Sequence, residues 1–436
     1  MLIMRLKIST TLIFACAVAT ALAADDQLKL EYHGAGWLQA GRVENSFNPT
    51  PNAGNDYEKN WLGQSGGVIN FKTTVDEHWE GGLGIGTVLV HLARGSRGIA
   101  NKWYPFWVPF ISEARFTYSG SGFAENGGFQ LTLGSFGYGY SPDSKNLGQY
   151  LLRGYVYPGT IVSGFGNITG AMGRYKVGTF TNDLILNSET EDKPFYDFSV
   201  ADVVTYRPHA SIEIGAGVNF YRALPSNSKA TSPGKDCNSN LLGVYALRGQ
   251  DSPCFIVEKD TAGVAIDTVL VSLAGTKVMG RFRLDPKVWF GSPAALAKDE
   301  LVLYGETAII GVKNYPVAYD KLLRRVPLML GFNIPTMNLF SMSLEWEYYA
   351  SKISGDNLAA KNGSPVPAVD AKVNNKRDDT KWSVNASKVL AGHIAISGQV
   401  ANDHMRLGGN HDEDTGVEAM RTPEDWYWTT KIAYFF

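Results

Sequence analysis

The chain ends on Trp426-Tyr427-Trp428-Thr429-Thr430-Lys431-Ile432-Ala433-Tyr434-Phe435-Phe436. Taken two at a time, Trp426, Trp428, Thr430, Ile432, Tyr434 and Phe436 fall on one face. That period belongs to a β-strand, whose successive side chains point to opposite sides. The same period recurs upstream. Phe340, Met342, Leu344, Trp346 and Tyr348 alternate with Ser341, Ser343, Glu345 and Glu347. Val326, Leu328, Leu330, Phe332 and Ile334 alternate with Pro327, Met329, Gly331 and Asn333. Ile212, Ile214, Ala216, Val218 and Phe220 alternate with Glu213, Gly215, Gly217 and Asn219, and Phe129, Leu131 and Leu133 with Gln130 and Thr132. Helical periodicity is scarce. Each run has one face suited to hydrocarbon and one suited to water.

Composition narrows the classes left. The 436 residues include 47 glycines, above the usual share of about 7%, and only 19% are charged, below the usual ~25%. A net charge of −2 excludes a nucleic-acid binder that works by a bulk basic field. A hydrophobic share of 44% excludes a mainly disordered chain. The sequence holds no G-x-S-x-G, H-E-x-x-H, P-loop or C-x-x-C motif, and its seven histidines lack metal-ligand spacing. No enzyme activity, cofactor or metal is therefore expected.

Residues 1–23 read as a secretory signal peptide. Arg5 and Lys7 precede an apolar run from Leu12 to Leu22, and Ala21-Leu22-Ala23 fits cleavage after Ala23. Residues 24–436 then form the exported protein. No other apolar run reaches the ~18 residues that would suggest a membrane-spanning helix. Cys237 and Cys254 are the only cysteines after the cut, and in an oxidising compartment they are expected to form one disulfide.

A soluble sandwich would alternate too, but three further features favour a closed barrel in a membrane. Short turns alternate with long polar connections along much of the chain. Aromatics cluster near strand ends, as at Trp79, Tyr118, Trp346, Tyr348, Trp382, Trp426 and Trp428, where an interfacial girdle would place them. The chain also stops on a strand. Its last residues, with Tyr434 and Phe436 in the alternating aromatic positions, resemble the C-terminal insertion signal of bacterial outer-membrane barrels; Lys431 stands where that pattern usually has Gly. Over essentially all of residues 24–436 the architecture resembles porin-type outer-membrane proteins. The resemblance implies insertion by the barrel assembly machinery, contact with outer-membrane lipid and the option of a homo-oligomer.

Sixteen strands are predicted, at 28–40, 66–75, 79–91, 110–119, 127–137, 164–175, 178–187, 195–206, 210–223, 276–285, 300–313, 325–335, 339–350, 380–390, 392–404 and 425–436. An even count places both termini in the periplasm. Both faces read as mixed over 164–187 and 300–313, which leaves fourteen to eighteen strands open, and Gly291–Lys298 fits a longer connection with a short helix. A barrel of this size is too wide for side chains to fill and leaves an aqueous lumen.

The alternation turns Lys72, Arg115, Arg281, Arg283, Lys381 and Lys431 inward, together with Glu80, Glu113, Glu213, Glu345 and Glu347. The signs are too evenly mixed to predict ion selectivity, and a wet, cross-linked wall is as good an account of them as a selective one. The connection 138–163 holds Asp143, Lys145, Tyr150, Arg153 and Tyr155. In general porins the third external loop folds inward and narrows the lumen, and the apolar Tyr150-Leu151-Leu152 and Tyr155-Val156-Tyr157 favour packing over exposure. Tyr and Arg there also suit sugar faces and hydroxyls. Two functions stay open: passive diffusion of small hydrophilic solutes, and surface binding, as an adhesin or polysaccharide binder, by a barrel whose long loops close its lumen.

Overall fold

The computed structural model describes residues 28–46, 58–59, 61–76, 78–92, 106–123, 127–152, 167–188, 197–224, 255–259, 265–270, 275–291, 293–312, 322–349, 380–403, 420 and 422–436. Cys237, Cys254, Arg153, Tyr155 and the proposed signal peptide lie outside them. Strands β1 (Leu28–Asn45), β2 (Trp61–Val75), β3 (Trp79–Leu92), β4 (Phe106–Ser119), β5 (Gly127–Gly137), β6 (Asn167–Val177), β7 (Phe180–Ser188), β8 (Phe198–His209) and β9 (Ile212–Leu224) come first. A small antiparallel pair, β10 (Phe255–Lys259) and β11 (Ala265–Leu270), follows within the next connection. Then come β12 (Gly275–Leu284), β13 (Val302–Ile310), β14 (Pro327–Ile334), β15 (Ser341–Tyr349), β16 (Thr380–Leu390), β17 (Ile394–Asn402) and β18 (Trp426–Phe435).

All but β10 and β11 pair with their neighbours in one closed antiparallel barrel of sixteen strands, with β18 returning to β1. The predicted count holds. Boundaries differ in places: β1 runs on to Asn45 and β4 begins at Phe106.

Closure ends on the last residue. Phe436 N donates to Gly34 O at 3.0 Å and Gly34 N donates to Phe436 O at 2.9 Å, extending a register that pairs Ala35 with Phe435. Any side chain at Gly34 would collide with the Phe436 ring. Outward positions are apolar and exposed, as with Ile212, Ile214 and Phe220 on β9 or Leu344, Trp346 and Tyr348 on β15. Inward positions on the same strands, Glu213, Asn219, Glu345 and Glu347, are buried. Hydrocarbon outside and a polar interior explain that split.

Aromatic belts mark both rims. At the extracellular rim, Trp61 and Trp428 meet edge to face at 5.9 Å, Arg42 lies 5.6 Å over Trp61, and Trp428 Nε1 donates to Glu44 at 3.0 Å. At the periplasmic rim, Trp79 packs on Phe116 at 4.9 Å and on Tyr118 at 4.6 Å. Such amphipathic rings suit the headgroup region.

Periplasmic turns are short because local acceptors finish them. Asp76, with φ 64°, accepts from His78 N at 2.6 Å and Trp79 N at 3.2 Å. The longer β12–β13 connection contains a 3-10 helix over Pro286–Phe290, just ahead of the predicted Gly291–Lys298 stretch. Asp285 caps it by accepting from Lys287 N, and Gly291 ends it in the left-handed region. Glu300 ties this connection to the β14–β15 turn. Its carboxylate accepts from Ala297 N at 3.0 Å, Thr336 N at 3.0 Å, Thr336 Oγ1 at 2.6 Å and Asn338 N at 2.9 Å.

Burial alone would raise the Glu300 carboxyl, but the donors from Thr336, Asn338 and Ala297 outweigh it and bring it down from 4.5 to about 2. A group depressed on folding stabilises fully above its unfolded value, and that contribution fades as pH falls through the folded one. Glu300→Gln should therefore lower the thermal midpoint at pH 7 and shrink the gap to wild type between pH 4.5 and pH 2. Circular dichroism melts in detergent across that range check this; a constant gap would refute it.

Candidate functional site

Beyond β5 the chain turns into the barrel instead of away from it. Residues 138–152 cross the interior and bind strands far from their origin. Three wall carboxylates hold them. Glu345 on β15 accepts from Lys145 N at 2.5 Å, Asn146 N at 2.8 Å and Leu147 N at 2.9 Å, and also from Tyr304 Oη at 2.9 Å. Glu306 on β13 accepts from Gln149 N at 2.7 Å, Tyr150 N at 2.8 Å and the Tyr140 hydroxyl. Glu347 accepts from Tyr150 Oη at 2.5 Å. The backbone can aim its N–H groups this way because Gly148 and Gln149 take positive φ, 84° and 62°. A side chain at Gly148 would also meet Met329 Cε at 2.5 Å and Glu306 Oε2 at 3.0 Å. Only glycine lets the loop lie this close to the wall.

Apolar packing completes the seat. Leu147, Tyr150 and Leu151 are buried with Tyr140 against Val203, Met279, Val302, Tyr304 and Met329. Tyr138 and Leu152 rest on a second group, Phe136, Ile168, Met172, Ile185 and Ala201. Asn219 Nδ2 donates to Leu151 O at 2.9 Å, and Arg283 Nε to Asp143 at 2.7 Å. Burial and the facing Glu306 and Glu347 carboxylates push the Tyr140 and Tyr150 phenols far above their ordinary range, so both remain donors.

The loop fills the β6–β15 side of the lumen. Between it and the remaining wall lies a polar cavity of about 330 Å³. Lys145 and Asn146 border it from the loop, facing Ser343, Asn385, Ser397, Gln399, Thr429, Lys431 and Gln39 on β15–β18 and β1. Asp403, just past β17, joins loop to wall: its carboxylate accepts from Asn146 Nδ2 at 2.6 Å and Tyr427 Oη at 2.7 Å.

Most of the predicted wall charges meet one another, while Lys381 donates to Met420 O. Lys72 lies 2.8 Å from Glu80, and Arg115 lies 2.5 Å from Glu80 and 3.0 Å from Glu113. Arg281 pairs with Glu213 at 2.6 Å, and Arg283 with Asp143. Glu345 and Glu347 do face the interior, but at 0% and 1% exposure they lie beneath the loop and border no open passage. Tyr150, at 2% exposure, is an anchor, whereas Lys145 is exposed to the cavity. Sequence reasoning missed Glu306, Tyr304 and Asn219. Among the described residues no group of three His, Cys, Asp or Glu side chains is placed to hold a metal ion.

Removing Glu345 would strand three loop N–H groups, and hydrogen bonds to a charged acceptor contribute a net of about 1.5–3 kcal/mol each. Glu345→Ala should open peptide bonds within 138–152 to added protease in detergent while the barrel stays resistant. Glu113→Ala, which removes a partner of Arg115 on β4, should leave the loop protected. Equal protection in both variants would show that apolar packing alone holds the loop.

No family model and no curated protein matches the chain. Solved structures do. Two engineered variants of the Rhodopseudomonas blastica porin align over 94% of this chain and 100% of theirs, at 10% identity, with TM-scores of 0.44 and 0.45. A structure concerned with asymmetric conductivity of engineered proteins aligns over the same shares at 11% identity, with a TM-score of 0.43. On its own geometry, the chain is a closed sixteen-stranded antiparallel barrel with an apolar outer face, crossed inside by residues 138–152, which follow its fifth strand.

Proposed function

We propose that the chain is an outer-membrane channel for the passive diffusion of small hydrophilic solutes. The observation that carries this reading is the polar cavity left beside the inward loop, lined by hydroxyls, amides, Lys145, Lys431 and Asp403. Water and small polar solutes can replace their hydration there at little cost. The serine, asparagine and glutamine side chains also suit hydroxyl-bearing solutes such as sugars. Arg153 and Tyr155, which follow the anchored part of the loop, would extend the constriction.

Purified protein in a planar bilayer should give discrete conductance steps, and deleting 145–157 should raise their size. Absence of steps in both forms would remove the channel reading and favour a surface-binding barrel. The partners proposed alongside are outer-membrane lipid on the apolar belt and the assembly machinery at the final strand, with Cys237 and Cys254 joined as an extracellular disulfide. Deleting Phe436 should lower outer-membrane yield far more than deleting one residue from 351–379. Equal yields would show that insertion does not depend on the terminal aromatic.

A further inference from the structure

We propose that the passage selects small anions over cations, and that Lys145 and Lys431 set this preference. The inference rests on the channel reading above. Its basis is which charges remain uncompensated at the cavity, since a paired or covered charge acts weakly on a passing ion while an accessible one in a narrow, low-dielectric surround acts strongly.

The inward acids of the described residues are engaged. Glu80, Glu113, Glu213, Asp143 and Asp183 each face an arginine or lysine. Glu306, Glu345 and Glu347 are saturated with donors from the loop and hidden by it, at 2%, 0% and 1% exposure. Asp403 does border the cavity, but it is 1% exposed and its Oδ2 already accepts from Asn146 and Tyr427. A passing solute therefore meets no open carboxylate among the described cavity residues.

The two lysines at the cavity differ from Lys72, Arg115, Arg281 and Arg283, which are paired with carboxylates, and from Lys381, which is 1% exposed and donates to Met420 O. Lys145 is exposed on the loop, with its backbone N–H fixed on Glu345 and no carboxylate within ion-pair distance of its ammonium among the described residues. Lys431 points inward from β18, and its Nζ lies 5.2 Å over the Trp37 ring. An aromatic face steadies an ammonium group without neutralising it. One cation thus projects from the loop and one from the facing wall, across a cavity whose remaining described lining is mostly hydroxyls and amides and whose one acid, Asp403, is 1% exposed. Lys431 also accounts for a departure from the terminal-strand pattern, where a glycine would leave that wall uncharged.

The test is the reversal potential of the full chain in a planar bilayer under a potassium chloride gradient. Wild type should favour chloride, with the preference weakening as salt rises and screening shortens. Lys431→Gln and Lys145→Gln should each reduce the chloride-to-potassium ratio, and Lys431→Glu with Lys145→Glu should invert it. A unit charge a few ångströms away in water acts about fivefold on each ion and in opposite senses on chloride and potassium, so the ratio should move by up to about 25-fold. Lys298→Gln, in the periplasmic β12–β13 connection, should leave it unchanged. Conducting wild type that favours potassium overturns the proposal while keeping the channel, whether or not the variants fold. Conducting glutamine variants with an unshifted ratio do the same. A chain that never conducts overturns the channel reading and takes this inference with it.

Discussion

A strand in hydrocarbon can satisfy its backbone N–H and C=O groups only on another strand, so a sheet there must close on itself. In this chain that requirement comes to rest on the seam between β1 and β18. The final carboxyl-terminal residue still exchanges two backbone bonds, with Gly34, and its ring occupies the space that glycine leaves empty. Once the circle is closed, sixteen strands fix a wide interior, and the wide interior creates the need and the room for a loop to enter.

What enters is held by an unusual use of charge. Burying a carboxylate is costly unless hydrogen bonds replace its water. Glu306 and Glu345 obtain those bonds mostly from loop backbone N–H groups, donors that would themselves be stranded if the loop folded back without partners. Wall and loop thus satisfy one another, and neither is satisfied alone. Tyr140, Tyr150 and Tyr304 add hydroxyl donors at the same carboxylates, and their rings supply part of the apolar packing.

This division explains what could be read beforehand. Strands such as β9, β15 and β18 were legible because one face is apolar toward hydrocarbon and the other polar toward the interior, so the two kinds of residue alternate cleanly. β13 was not. Val302, Tyr304, Ala308 and Ile310 point inward yet are apolar, because they meet the loop and not water. Ile168, Met172 and Ile185 blur β6 and β7 for the same reason. The segments with two mixed faces were thus the footprint of the inward loop, a signal present in the sequence but carrying no label. Glu345 and Glu347 could be assigned to the inner face by alternation, yet their spacing says nothing about what covers them. Pairings such as Asp143 with Arg283 join remote parts of the chain, and no local pattern encodes them.

The crossing loop also has a mechanical meaning. A sixteen-stranded cylinder with an empty centre is soft: lateral pressure from the bilayer can flatten it into an ellipse without breaking a single ladder bond. Residues 138–152 begin at β5 and are fastened to β13 and β15, so they form a chord across the cross-section. Anchored through two-sided hydrogen bonding and close packing, such a chord resists both stretching and shortening. The segment that narrows the lumen is thereby also the strut that holds the cylinder round, and the bore beside it keeps its shape when the surrounding membrane does not.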